Sequence, residues 1–309
     1  MLEDLARFHH DDAEAAAALK TARHALDRLA RPLAADLLRA RDSARDVGRE
    51  GDLPVSGPRL PREVAAANFK RAQEALRSIE EAAKGRFGAL AREAHARRYA
   101  LYALERSAAD PRRRLAAARL YVLLDPAVVA RGSLLRAARE AVRGGADLLQ
   151  LRQKPAPDLA LAKALREAAG DALLIVNDRP DVALAAGADG VHLGLEDLPI
   201  AAARRLGVGI VGATTHSLAE ARRAQRAGAD YVSVGPMYAT PLKPDLEPRG
   251  WDYLAGVKRL GVPFFCIGGI TRETVRREMV RVAACGGVIG QKDPAAAARA
   301  IRRRLTSGG

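Results

Sequence analysis

Aromatic side chains are scarce. Phe, Trp and Tyr make up 4% of the 309 residues, so Ala, Leu, Val and Ile must fill the core. There are only two cysteines, Cys266 and Cys285. They have no metal-ligand spacing and lie in apolar runs, which points to reduced buried thiols of a cytoplasmic protein rather than a disulfide scaffold. The six histidines are dispersed except for His9-His10 and form no zinc pattern. No apolar run approaches the ~20 residues that a membrane span needs. The start, Met-Leu-Glu-Asp, has neither the basic nor the apolar segment of a signal peptide. No stripe of Lys and Arg interleaved with stacking aromatics is present, which argues against nucleic acid as a partner.

Positive charge, by contrast, is plentiful. The formal net charge is +14 and the isoelectric point about 10.4. Such a balance suits nucleic acid, a small polyanionic substrate drawn in by the field, or a merely Arg-rich composition. The arginines are mostly spread along helices (Arg136, Arg139 and Arg143; Arg222, Arg223 and Arg226), which favours composition together with a phosphate-rich substrate.

The texture of the chain changes near residue 110. Residues 1–106 are rich in Ala, Arg, Leu and Glu and have helical periodicity. Leu26, Leu29, Leu33, Leu37 and Leu38 mark one helix. A second spans Asn68 to Lys84, with Phe69, Ala72, Leu76 and Ile79 on one face. The Gly- and Pro-bearing stretch from Asp42 to Pro61 reads as a long irregular loop. Leu2-Glu-Asp-Leu-Ala-Arg7 echoes Ile79-Glu-Glu-Ala-Ala-Lys84, which suggests an internal repeat and a start in mid-helix, or coincidence in a low-diversity sequence. Residues 107–117 read as a linker.

From 118 to 309, strand and helix patterns alternate. Strands are expected at Leu120–Leu124, Leu148–Arg152, Leu173–Asn177, Gly190–Leu193, Ile210–Thr214, Tyr231–Gly235, Phe264–Gly268 and Val282–Cys285, each followed by a helix. Ser133, Asp158 and Ser217 are plausible N-caps. Eight β/α units in about 190 residues imply a (β/α)₈ TIM barrel, of class α/β, behind a smaller all-α domain. A doubly wound open sheet is the alternative. The absence of Gly-x-Gly-x-x-Gly after the first strand counts against its dinucleotide-binding form.

Polar residues gather just past the apolar runs, where such barrels place their chemistry. Gln150, Arg152 and Lys154 alternate, so all three face the barrel mouth. Two cations and an amide there can grip a diphosphate. Asn177-Asp178 ends strand three and Asp197 follows strand four; two carboxylates from adjacent strand ends can share one Mg²⁺. The local alternatives are helix caps for Asp178 and Asp197, and surface charge for Lys154. Gly268-Gly269 and Cys285-Gly286-Gly287 offer backbone donors for a phosphate. Thr214 and His216 close strand five, while Thr240 and Lys243 lie in the loop after strand six. His216 reads as a helix-start residue held by backbone, with a general base as the alternative. His192 reads as a core histidine.

Gln150-Leu-Arg152-Gln-Lys154, Asn177-Asp178-Arg, Ala188-Asp-Gly-Val-His-Leu-Gly194, Gly235-Pro-x-x-x-Thr240-Pro-x-Lys243 and Ile267-Gly-Gly-Ile270 together resemble the thiamine phosphate synthase family, over roughly Arg119 to Arg304. The resemblance implies an enzyme that joins hydroxymethylpyrimidine diphosphate to thiazole phosphate or its carboxylate and releases pyrophosphate. It implies that Gln150, Arg152, Lys154 and Asn177 hold the pyrimidine diphosphate and that Asp178 and Asp197 hold Mg²⁺. Thr240 and Lys243 would meet the thiazole partner and pyrophosphate. Gly268, Gly269, Cys285 and Gly286 would surround the thiazole phosphate. Arg152, Lys154 and Lys243 are then the catalytic cations, stabilising the leaving group in a dissociative displacement.

The chain departs from the family pattern at four places. Gln153 stands for the usual Glu and Thr214 for Ser. Leu242 stands for Thr, and Cys285-Gly286-Gly287 for Ile-Ser-Ala. The last two remove hydroxyls near the thiazole site. A thiazole tautomerase lacks the metal acids, and a non-catalytic phosphate-ligand sensor would not need them. The first 106 residues resemble the helical domain fused to some of these synthases, through Leu2-Glu-Asp-Leu-Ala-Arg-Phe8, Arg41-Asp-Ser-Ala-Arg-Asp-Val-Gly48 and Asn68-Phe-Lys-Arg-Ala-Gln-Glu-Ala-Leu-Arg77. Arg41, Asp42, Arg45 and Asp46 form either a ligand loop or a salt-bridged turn. Oligomeric state is not set by these residues, and a homo-oligomer stays open.

Overall fold

The computed structural model describes residues 2–4, 13–31, 35, 61–129, 133–240 and 246–306. Leu33, Leu37 and Leu38, the stretch from Asp42 to Leu60 and the group Arg41, Asp42, Arg45 and Asp46 lie outside the described residues, as do Leu242 and Lys243. The chain divides into two compact units, Met1–Asp110 and Pro111–Gly309.

The first unit is helical: α1 (Leu2–Asp4), α2 (Ala13–Ala30), α3 (Pro61–Ala83) and α4 (Gly88–Ala109). Its core joins Leu19, Phe69, Leu76, Ala94 and Leu101. The expected face of α3 is corrected at one position, since Ile79 is exposed. The buried stripe instead runs Phe69, Gln73, Leu76, Glu80 and Ala83, at regular three- and four-residue steps. Its two polar members are tolerated because both are bonded to α4. Gln73 Nε2 donates to Glu105 Oε2 at 2.6 Å. Glu80 accepts from Arg98 Nη2 at 2.9 Å and lies 2.8 Å from His95 Nδ1.

The second unit opens with α5 (Pro111–Ala117), so most of the stretch read as a linker is helix. Leu115 is buried with Ala118, Tyr121 and Leu148, inside the core of this unit. Then follow β1 (Leu120–Leu124), α6 (Leu134–Arg143), β2 (Leu148–Leu151), α7 (Leu159–Ala168), β3 (Leu173–Asn177), α8 (Pro180–Ala185), β4 (Gly190–Leu193), α9 (Ile200–Arg205), β5 (Ile210–Thr215), α10 (Leu218–Arg226), β6 (Tyr231–Val234), α11 (Gly250–Leu260), β7 (Phe264–Ile267), β8 (Val282–Ala284) and α12 (Pro294–Thr306). All strands pair in parallel and β8 closes on β1, giving a barrel β1–β8 and excluding the open sheet. Ser133, Asp158 and Ser217 each accept a backbone N–H at the head of a helix.

Alternation along the strands builds two cores. Leu120, Val122 and Leu124 point out toward the helices, whereas Tyr121, Leu123, Leu173, Ile175, Ile210, Tyr231, Phe265 and Ala283 fill the barrel. One expected element is missing, because turns rather than a helix follow β7. There Thr274 Oγ1 donates to the Gly269 carbonyl at 2.8 Å and accepts from Thr271 N–H at 2.8 Å. Side-chain bonds of this kind compete with the helical ladder.

At the N-terminal end of the barrel three carboxylates repeat one arrangement. Gly-Ala-Asp recurs at 145–147, 187–189 and 228–230, just before β2, β4 and β6. Asp147 accepts from Leu120 N–H at 2.9 Å, Asp189 from Leu174 N–H at 2.8 Å and Asp230 from Val211 N–H at 2.7 Å. Each also pairs with an arginine, respectively Arg302, Arg166 and Arg204. Each acid thus ties the start of a neighbouring strand to a helix.

Candidate active site

At the C-terminal ends of the strands lies a cavity of about 340 Å³. Its walls follow from the same alternation: inward positions beyond the packed interior become lining. Gln150, Arg152, Asn177, Thr214, Thr240, Gly268, Gly269, Cys285 and Gly286 all line it. These expected site residues, drawn from strand ends far apart in sequence, meet around one space.

Arg152 is steered by a residue that the sequence reading passed over. Asp125, one step beyond β1 and 7% exposed, forms an ion pair with Arg152. Its signal was the same as that of the other site residues, a lone acid just past an apolar run. Cys285 faces this pair. Burial, reinforced by the nearby Asp125 carboxylate, pushes its thiol up to about 12, so it is a neutral wall group.

Lys154, Asp178 and Asp197 form a separate polar group that is not part of the cavity lining. Lys154 pairs with Asp178. Burial acts to raise the Asp178 carboxyl, but hydrogen bonds with Lys154 and Asp197 outweigh it and hold the group below the ordinary carboxylate value. For Asp197, burial and the hydrogen bond with Asp178 push the other way, above that value. Two acids this close resist ionising together. Neither acid caps a helix: the caps of α8 and α9 are Arg179 and Pro199, with no side-chain cap bond. Asp197 Oδ2 accepts Gly194 N–H at 2.6 Å. Asp178 has φ 64°, alone in positive φ among described non-glycine residues. Backbone strain of this sort concentrates at functional sites.

The histidines divide. The His216 ring is anchored through Nδ1 to the Gly235 carbonyl at 2.9 Å, and the His216 backbone N–H donates to Glu220 Oε2, as a helix-start residue should. It also lines the cavity. His192 is buried and bonded, as a core histidine should be, and lines the cavity too. Gly268 and Gly269 have φ of 98° and 65°, and Cβ atoms there would lie 2.6 and 2.7 Å from Pro236 and Tyr238. No other residue type fits that turn.

A family model described as Thiamine monophosphate synthase matches residues 120–291, and one described as ThiD2 family matches residues 1–107. A thiamine-phosphate synthase of Gloeobacter violaceus is 40% identical over 100% of this chain and 93% of its own length. The chain belongs to the thiamine-phosphate synthase family. It is a transferase of thiamine biosynthesis. A second thiamine-phosphate synthase, from Thermosynechococcus vestitus, is 37% identical over 100% of this chain and 91% of its own. Among solved structures, a thiamine phosphate pyrophosphorylase from Pyrococcus furiosus is 34% identical, with a TM-score of 0.57 over 64% of this chain and 98% of that one.

Within this thiamine-phosphate synthase fold, the Cys285-Gly286-Gly287 departure acquires a shape. Among the described residues a Cβ on Gly286 would meet only Val128 Cγ1, at 3.6 Å, which leaves room for a serine there. A Cβ on Gly287 would lie 2.0 Å from the Ile270 carbonyl oxygen. The turn after β7 therefore packs too closely here for alanine.

Proposed function

We propose that the barrel joins hydroxymethylpyrimidine diphosphate to thiazole phosphate or its carboxylate, yielding thiamine phosphate and pyrophosphate. The observation that carries this reading is the juxtaposition of a cavity lined by amides and hydroxyls with a lysine and two coupled carboxylates from neighbouring strand ends. Gln150 and Asn177 hold the pyrimidine diphosphate. Arg152, kept in place by Asp125, and Lys154 meet the diphosphate charge, and Lys243, outside the described residues, is read from the sequence as a third cation. Thr240 and the turns at Gly268, Gly269, Cys285 and Gly286 take the thiazole phosphate.

The bond from the pyrimidine methylene carbon to the diphosphate oxygen breaks, and its electron pair leaves with pyrophosphate. The thiazole nitrogen lone pair then forms the new carbon–nitrogen bond. No strong base is required, because the leaving group needs charge stabilisation more than the nucleophile needs activation. The hard oxygen donors of Asp178 and Asp197 suit Mg²⁺, which when bound would neutralise charge on the departing diphosphate. Lys154 then serves as a mobile cation that can exchange Asp178 for phosphate. Two free thiols are compatible with a cytoplasmic location, and no helix among the described residues is long and apolar enough to cross a membrane. Residues 1–106 are read as an accessory helical domain.

The test is pyrophosphate release from the full chain given both substrates and Mg²⁺, with EDTA as control. Metal-dependent release matched by thiamine phosphate supports the reading. Absence of release with retained substrate binding replaces it with a ligand sensor.

A further inference from the structure

Along the floor of the cavity, polar groups form one continuous line across the barrel. Gln150 Nε2 donates to the Tyr121 hydroxyl, which lies 2.9 Å from the Tyr231 hydroxyl. Tyr231 lies 3.1 Å from His192 Nδ1, and His192 Nε2 lies 3.0 Å from Thr214 Oγ1. The five residues come from β2, β1, β6, β4 and β5. Gln150, Tyr121, His192 and Thr214 all line the cavity, while Tyr231 is wholly buried. Space for the Tyr231 ring is made by Gly212, where a Cβ would sit 2.1 Å from Cζ.

Each hydroxyl has one proton to give, so a direction chosen at one end propagates to the other. With the Gln150 amide donating, the Tyr121 proton goes to Tyr231 and the Tyr231 proton to His192 Nδ1. His192 then carries its proton on Nε2 and donates to Thr214. The Thr214 proton is left for the cavity, as is the Gln150 carbonyl oxygen. Burial raises both phenols above the ordinary tyrosine value, so the protons stay within the line. The reverse direction would turn the Gln150 amide toward the cavity and leave Thr214 only lone pairs to offer there. An aminopyrimidine diphosphate presents an amine that donates and phosphate oxygens that accept. Only the first direction offers an acceptor to the amine and a donor to the phosphate.

We propose that Tyr121, Tyr231 and His192 are positioning residues that polarise Gln150 as an acceptor and Thr214 as a donor for the pyrimidine diphosphate. The identity of that substrate rests on the function proposed above; the direction of the line does not. It is read in the full chain, labelled with ¹⁵N-histidine, by long-range ¹H–¹⁵N correlation, with His192→Asn identifying the signals. A proton on Nε2 with bare Nδ1 is expected. A proton on Nδ1, alone or with one on Nε2, overturns the proposal whatever the enzyme catalyses.

A second experiment measures KM for hydroxymethylpyrimidine diphosphate in Tyr231→Phe, Thr214→Val and the double variant. Each single change should raise KM about tenfold, the cost of one hydrogen bond to a charged group. The double variant should fall well short of the hundredfold product, because Tyr231 acts in part through Thr214. Effects that multiply to about a hundredfold would make Tyr231 merely structural and overturn the proposal. Failure of the unaltered chain to turn over would sink the proposed reaction, yet leave the tautomer result standing.

Discussion

The two ends of the barrel use aspartate differently. At the N-terminal end Asp147, Asp189 and Asp230 each bind a backbone amide as well as an arginine. These pairs are closed and serve the fold. At the C-terminal end Asp125 and Asp178 pair with cationic side chains, and Asp125 and Asp197 also accept the Ala127 and Gly194 amides. Lys154 is 57% exposed, so its ion pair is open to exchange with solvent. What separates the two ends is where the cationic partner sits: Arg302, Arg166 and Arg204 bind within the fold, whereas Arg152 lines the cavity and Lys154 is exposed.

The strongest way to break this comparison is Asp178→Asn. Turnover should fall by about a thousandfold, the upper range for loss of a group stabilising transition-state charge, while Tm stays within a few degrees, about the scale of a surface change. Full activity in that variant, measured as pyrophosphate release, would remove the metal assignment. Asp230→Ala at the other end should do the reverse. Loss of the arginine and amide partners should cost about 3 kcal/mol, visible in urea unfolding, with kcat per folded molecule unchanged. A large loss of kcat there would erase the distinction between the ends.

Asp125→Asn sharpens the contrast, because it keeps the shape and removes the charge that aims Arg152. A fall in kcat/KM of about thirtyfold is expected, in line with a charge-assisted hydrogen bond. An unchanged kcat/KM would return Asp125 to a structural role. The smallest effect belongs to Gly286→Ser, which restores a hydroxyl in a space that accepts it. KM for thiazole phosphate should fall about threefold, below the value of a full hydrogen bond. An unchanged KM would mean that the backbone of the turn already satisfies the phosphate.

Much of this was legible in the residues because strand alternation is local. Every expected strand is present within a residue at its ends, and the inward positions beyond them line one cavity. The helix after β7 failed because Thr271 and Thr274 engage backbone, a competition that apolar spacing does not register. The face of α3 was misread because Gln73 and Glu80, polar by type, are buried against partners on another helix.

Sequence by itself determined the strands, the order of the β/α units, the glycine turns after β7 and β8 and the family motifs, since each depends on residues a few positions apart. Tertiary structure alone decided that Asp125 steers Arg152 across 27 positions. It alone brought Tyr121 to Tyr231 across 110 and coupled Asp178 to Asp197. Pairing of adjacent strands is enough for the first and last of these, but Tyr121 and Tyr231 meet only once the eighth strand closes on the first, because closure makes inward side chains of distant strands neighbours in a space that water has left.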